Sequence, residues 1–516
     1  MNYLTEKADE TSFAGAMLKA SSIIFILIFI QRVFGYLLNS LLTKSISQTD
    51  YGSYTFAWSI SMFATGILLL GISSATARYV AYYRGGGNFD MVKSIIKTGF
   101  LFNSGLLGML LILLIVVNIL FPNVLSLNNY LFIFICSVFV IHGTGSFFSS
   151  IISGYRKPEI SSVFGTLFPV LSFVFAAIAI FLTGEFMHIL FAIALAFLIS
   201  NILNITYALK NYGLAGKFRP GLIKDLLKFG VSVVFIDTAN NLLSWADVFI
   251  IKMYIDFSDV GVYWASVITA NTILMFFIPI NSIFAPIAAE LFGKRDIERL
   301  NLMTSYTIER FFLISLPIIF VFLIFPKGIL SIIFTAEYMA GALPLQILVI
   351  STSMLGLSLL FRTILTASGK PHIEARVIVI AAVANVILNI ILIKPYGIVG
   401  ASLATLCSSA VILAFAFRYA RREVAVKINL FNLVKISGSL VIPLILVYIV
   451  KLMFASLFFE FVVSSFVIVV FYLGSLVVVK AFRDEDIMLV GMILGALHMP
   501  RRVDEFVLGV VRRGVS

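Results

Sequence analysis

MLKASSIIFILIFIQRVFGYLLNSLLTKSISQTDYGSY, beginning at Met17, and LLKFGVSVVFIDTANNLLSWADVFIIKMYIDFSDVGVY, beginning at Leu226, align without gaps at an offset of 209 residues. Asp50 falls on Asp259, Gly52 on Gly261 and Tyr54 on Tyr263. Further along, SGYRKPEI from Ser153 matches SGKPHI from Ser368 once two residues are deleted. Two matches in the same order and at nearly the same offset mark an internal duplication.

Both copies are dominated by apolar runs, and so is the rest of the chain. Of its 516 residues, 61% are apolar and 12% charged, and the mean hydropathy is +1.08. A soluble domain is about 45–50% apolar and about 25% charged. Runs of about 20 apolar residues read as transmembrane helices. Fourteen such spans are expected, at roughly 18–43, 53–76, 96–121, 129–152, 160–183, 187–209, 227–252, 262–288, 306–326, 343–366, 374–393, 398–418, 433–453 and 460–480. The fold class is therefore an all-α polytopic membrane protein. Each repeat holds six spans. Six is even, so both halves enter the membrane from the same side and are related by an axis along the membrane normal. The expected division is a six-helix lobe over 1–212, a second over 213–425, two added helices in 426–482, and a tail from 483 to 516. Within the tail Ile487–Leu497 is too short to span and suits the membrane surface beside Arg501 and Arg502.

Loop charge sets the orientation. Loops after even-numbered spans carry groups such as Arg84, Lys93 and Lys97; Lys210, Lys217 and Arg219; and Arg421, Arg422 and Lys427. Loops after odd-numbered spans hold only Lys44, Lys252, Lys327, Lys394 and Lys451. The positive-inside rule places the even loops and both termini in the cytoplasm, in a multi-pass protein of the cell membrane. The first run, which contains Arg32, is too long for a cleaved signal and stays as a span.

The same arrangement excludes several functions. The net charge of +12 lies in loops and reports orientation, so nucleic acid is not a partner. Cys136 and Cys407 stand singly in apolar runs, and His142, His188, His372 and His498 are scattered, so no metal or redox site is expected. No nucleotide-binding G-x-x-x-x-G-K-[ST] occurs, and no polar stretch is long enough for a catalytic domain. The chain reads as neither an enzyme nor a carrier of a cofactor.

Polar groups inside spans are costly and mark cavities or pairs. Span 7 carries Asp237, Asn240, Asn241, Ser244 and Asp247 within an arc of roughly 120°. Span 1 carries Gln31, Arg32, Gly35 and Asn39 within roughly 100°. At the repeat offset Gln31 matches Asn240 and Arg32 matches Asn241, so the stripes are equivalent and frame a polar cleft. A guanidinium suits phosphate, which makes Arg32 the first candidate for binding substrate, with Gln31, Asn39, Asn240, Asn241 and Arg78 beside it. Asp237 and Asp247 are candidates for coupling to H+ or Na+, Asp237 first because it lies deeper in the span. The alternative is an ion pair between Arg32 and one of these carboxylates that ties two helices together.

At YGSYTFAWSISMFATGILLLGISSATARYVAYYRGGGNFD (51–90), FAPIAAELFGKRDIERL (284–300) and SGKPHIEARVIVIAAVANVILNIILIKPYGIVGASLAT (368–405), the chain resembles the polysaccharide-transporter branch of the multidrug/oligosaccharidyl-lipid/polysaccharide exporter superfamily. The resemblance covers roughly residues 15–480. It implies two lobes that alternate between inward-open and outward-open states. The implied activity is flipping of oligosaccharide on a polyprenyl phosphate or diphosphate carrier for surface polysaccharide or glycan assembly. The implied partners are that lipid-linked oligosaccharide, membrane lipids, and glycosyltransferases or a polymerase of the same pathway. The two carboxylates on span 7 keep a second member of the superfamily in view, a cation-coupled exporter of amphipathic small molecules.

Overall fold

A computed structural model describes residues 26–120, 128–426, 429–453, 457–482 and 509. The expected surface segment Ile487–Leu497 lies outside the described residues. Among those described the chain is helical, without β-strands. The helices are α1 (Ile26–Ser45), α2 (Gln48–Leu68), α3 (Ile72–Gly85), α4 (Phe89–Leu120), α5 (Asn129–Gly154), α6 (Pro158–Leu182), α7 (Phe186–Tyr212), α8 (Gly221–Tyr254) and α9 (Phe257–Ala270). They continue with α10 (Leu274–Gly293), α11 (Ile297–Ile324), α12 (Pro326–Ile333), α13 (Ala342–Ala367), α14 (Pro371–Glu423), α15 (Leu430–Gly438), α16 (Val441–Met453) and α17 (Leu457–Val478). In hydrocarbon no water satisfies the backbone, so the chain must close its hydrogen bonds within helices. Their starts follow local chemistry. Pro158, Pro326 and Pro371 open α6, α12 and α14, where the missing N–H costs nothing. The Ser47 hydroxyl accepts the Asp50 N–H at 3.1 Å, and Asp296 accepts the Arg299 N–H at 3.0 Å.

Twelve helical stretches among the described residues are long and apolar enough to cross a membrane, and α2 with α3, bent by 50°, makes a thirteenth. This second span is longer than the sequence reading and is broken at Leu70 and Gly71, both with positive φ. The fourteenth comes from α14. At 53 residues a straight rod would be about 80 Å long, far beyond the ~30 Å hydrocarbon core. Its backbone breaks at Gly397 (φ 56°, ψ −138°), a conformation that suits glycine. The chain turns back there: a Cβ on Gly400 would overlap the Leu392 carbonyl, and Asn385 Nδ2 donates to Ser408 Oγ at 3.2 Å. Two antiparallel arms result, matching the expected spans 11 and 12.

The described residues form two compact units. One runs to Ile268 and includes Ala375–Ser408; the other comprises Thr269–Glu374 and the chain from Ser409. In the first, Ile72, Ile95, Phe147, Ile151 and Leu226 build a core shared by α3, α4, α5 and the start of α8. Side chains such as Ile119 and Phe181 point outward, as lipid-facing positions should. In the second, Phe284, Leu300, Ile364 and Ala416 form one core. A further cluster of Ile436, Tyr472 and Leu476 seats α15 and α17 on α11, where the Tyr472 hydroxyl donates to the Leu313 carbonyl at 3.1 Å.

The duplication has a physical counterpart inside the first unit. A Cβ on Gly52 would overlap the Phe257 carbonyl, and a Cβ on Gly261 would lie 2.7 Å from the Gln48 carbonyl. Gly52 and Gly261 are repeat mates, and so are Gln48 and Phe257. Each glycine thus packs on the other copy's equivalent backbone, the reciprocal pattern of a two-fold contact.

Candidate functional site

Asp247 accepts three side-chain hydrogen bonds within the first unit. It is buried at 6% exposure, and α8 carries it to a point where α9 and both arms of α14 meet. The Tyr263 hydroxyl donates to its Oδ2. The Thr405 hydroxyl donates to Oδ2 at 2.7 Å, and Asn389 Nδ2 donates to Oδ1 at 2.6 Å. The same Asn389 amide also donates to Asn385 Oδ1 at 3.0 Å, which fixes its flip and turns its own Oδ1 away. That Oδ1 is buried with no hydrogen-bond partner among the described residues. The cluster therefore surrounds one anionic group with neutral hydroxyl and amide donors, with no Lys or Arg ion-paired to it among the described residues. A buried carboxylate without a cationic partner suits a proton, or a hard cation once the hydroxyls turn their lone pairs toward it.

The remaining stripe residues go to different neighbours. Gln31 Nε2 donates to Thr166 Oγ1 at 3.1 Å, on α6. Asn39 is held by the Tyr51 hydroxyl, which donates to its Oδ1 at 2.7 Å. Asn241 packs on Gly66 of α2 and donates to the Asp237 carbonyl at 2.8 Å. Asn240 is exposed, and its amide returns to the Ile236 carbonyl. Asp237 is half-buried, and its carboxylate has no hydrogen-bond partner among the described residues. Arg32 is exposed, and no ion pair joins it to Asp237 or Asp247 among those residues. Arg78 is exposed too, its guanidinium 4.1 Å from the centroid of Phe229.

Sequence reading named Asp247 but not Tyr263, Asn385, Asn389 or Thr405. The signals were present: Asn385 and Asn389 stand one turn apart, as do Thr405 and Ser408, each pair on one helix face. A second feature was also missed. Four helices of the first unit, α3, α5, α6 and α7, enclose a cavity of about 540 Å³ lined largely by serine.

The fold is an integral-membrane bundle of helices built by duplication, with one buried carboxylate cluster. Residues 17–292 match the family described as Polysaccharide biosynthesis protein, and the chain belongs to that family. Residues 233–391 also match the family described as MatE. A membrane protein of Methanocaldococcus jannaschii, named as uncharacterized, is 24% identical over 407 residues, covering 73% of this chain and 78% of the relative. The "Probable low-salt glycan biosynthesis flippase Agl15" of Haloferax volcanii is 33% identical over 187 residues, 36% of this chain and 39% of the relative. Among solved structures, the lipid II flippase MurJ in an inward closed conformation superposes with a TM-score of 0.68 at 16% identity, over 88% of this chain and 97% of that one. The chain is thus a multi-pass membrane protein with the fold of a flippase, and these comparisons align it with transporters rather than enzymes.

Proposed function

We propose that this protein translocates an oligosaccharide on a polyprenyl phosphate or diphosphate carrier from the cytoplasmic to the outer leaflet, for surface polysaccharide or glycan assembly. The observation that carries this reading is the family match over residues 17–292 in a chain made almost wholly of membrane spans. A fixed cleft wide enough for a glycan would leak, so translocation proceeds by alternating access. The moving bodies in this reading are the six-span repeats, 1–212 and 213–425, with 426–482 added and both termini cytoplasmic. The lipid tail stays in the bilayer, because withdrawing it costs about 0.8 kcal/mol per CH₂. Arg32 and Arg78 are assigned to the carrier phosphate. Gln31, Asn39, Asn240 and Asn241 are assigned to substrate binding beside these two arginines. Asp247, rather than Asp237, is assigned to a coupling H+ or Na+, because it is buried in a polar cluster with no cationic partner among the described residues. Glycosyltransferases or a polymerase of the same pathway supply and consume the substrate.

The second reading, cation-coupled export of amphipathic small molecules, is favoured by the match over residues 233–391. Reconstitution into proteoliposomes separates the two. The flippase reading requires movement of a fluorescent polyprenyl-linked oligosaccharide and none of ethidium; the opposite result establishes the exporter. Arg32→Ala should slow glycolipid movement by about 10- to 100-fold, the worth of a charge-assisted hydrogen bond, with partial recovery in Arg32→Lys. Full activity in Arg32→Ala removes this residue from the site.

A further inference from the structure

We propose that the serine-lined cavity of the amino-terminal helices binds an uncharged, hydroxyl-rich group: a sugar unit of the transported lipid. The proposal rests on the flippase reading and gives it a saccharide subsite separate from the phosphate. The cavity of about 540 Å³ lies within the ~300–1,000 Å³ range of small-molecule sites, which suits a short saccharide and not a long glycan.

Its wall is selective by chemistry. Ser146, Ser149, Ser150 and Ser153 of α5 fall at helical spacing on one face, and Ser73 and Ser74 of α3 stand across from them. None of the residues lining the cavity is Lys, Arg, Asp or Glu. A phosphate would find no countercharge there, and an organic cation would find no carboxylate. A hydroxyl both donates and accepts, which matches the hydroxyls of a sugar. Phe164, Phe168 and Phe197 supply an apolar wall, with the Phe168 and Phe197 rings 4.6 Å apart. The C–H faces of a sugar ring need such a surface.

Small residues also serve helix packing, so the serines alone would not make a site. Several satisfy themselves on their own helix, as Ser150 does by donating to the Phe147 carbonyl at 2.7 Å. Asn204 does not. It lines the cavity at 4% exposure, and its Nδ2 donates to Ser149 Oγ at 2.8 Å and to the Gly145 carbonyl at 3.2 Å. Its Oδ1 has no hydrogen-bond partner among the described residues. A buried acceptor left unpaired costs about 1–3 kcal/mol, so this wall of the cavity is polar and not fully satisfied by the protein itself. The cavity also opens in a useful direction. Ser74 and Ser153 are exposed at the end next to Arg156 and Lys157, and His142 lies about 16 Å further along α5. The positive loop marks the cytoplasmic side in the orientation proposed above, where the glycolipid is made.

The test uses full-length protein in proteoliposomes with two probes, a polyprenyl-phosphate disaccharide and the same polyprenyl phosphate without sugar. The triple variant Ser149→Ala, Ser150→Ala, Ser153→Ala removes hydroxyls without adding bulk, and Ser150→Phe fills the cavity. Each should slow the disaccharide lipid by about tenfold or more, the loss of one or two hydrogen bonds, and leave the bare carrier within about twofold. Equal slowing of both probes, or of neither, overturns the proposal while the flippase reading stands. Wild-type protein that moves neither probe overturns the flippase reading, and the subsite with it.

Discussion

Asp247→Asn is the substitution that bears most directly on coupling. In the wild type three neutral donors converge on the carboxylate: the Tyr263 and Thr405 hydroxyls and the Asn389 amide. The amide of an asparagine in its place keeps one acceptor oxygen and puts an N–H where another donor already points. One buried donor is left unpaired, at a cost of about 1–3 kcal/mol. The second effect is on ion binding. A cation at about 100 times its Kd stabilises the folded state by about 2.7 kcal/mol. Removing the cluster's one negative charge removes that increment. The assay is thermal denaturation of the purified protein in detergent, with Na+ titrated against choline at constant ionic strength. The wild-type midpoint should rise with Na+, less so as pH falls, because a proton competes for the same oxygens. Asp247→Asn should start lower and stay flat. Asp237→Asn, whose carboxylate makes no comparable contacts, should keep the Na+ response. An unchanged Na+ response in Asp247→Asn refutes the assignment, as does a flat wild-type curve across the pH range.

The reciprocal glycine contact predicts non-additivity. Gly52→Ala and Gly261→Ala should each destabilise by about 1–3 kcal/mol through overpacking, and the double variant by clearly less than their sum, since one substitution already opens the crossing; additive losses in a thermal-shift series would show that the two sites do not share one contact. For topology, an impermeant thiol reagent applied from outside should label a cysteine placed at Asn128 and miss one at Lys217, and the reverse pattern would invert the orientation.

How much of this was legible in the sequence depends on the range of each interaction. Span number and the two-copy architecture follow from local composition and from an alignment. The reversal within α14 was legible for the same reason, since Pro395-Tyr396-Gly397 punctuates the run. The bend between α2 and α3 was not, because Leu68-Leu69-Leu70-Gly71 reads as continuous apolar helix. Periodicity gives the angle of a side chain about its own helix and nothing about what stands opposite. The stripe on span 7 shows this: Asn241 meets Gly66, Asp247 meets α9 and α14, and Asn240 stays exposed, though all lie within one arc. The partners of Asp247 come from up to 158 positions away and could be paired with it only in three dimensions. The serine face on α5 was local enough to find, but serine in a span has a packing role as its first explanation.

The distribution of charge is what separates the two transport readings. An exporter of amphipathic cations needs its anionic group where the drug sits. Here the buried carboxylate of the cluster is enclosed by Tyr263, Thr405 and Asn389, and none of these residues lines the 540 Å³ cavity. The 540 Å³ cavity carries hydroxyls and aromatic rings but no charge. The cation assigned to the carrier phosphate, Arg32, lies on neither and is not ion-paired among the described residues. A glycolipid makes three separate chemical demands: countercharge for its phosphate, hydroxyl partners for its sugar, and an energy source that does not compete with either. A carboxylate held apart from the sugar cavity can bind and release its ion without attracting or repelling the substrate. That separation fits a neutral saccharide on an anionic carrier better than it fits an organic cation, which would have to share the carboxylate with the coupling ion.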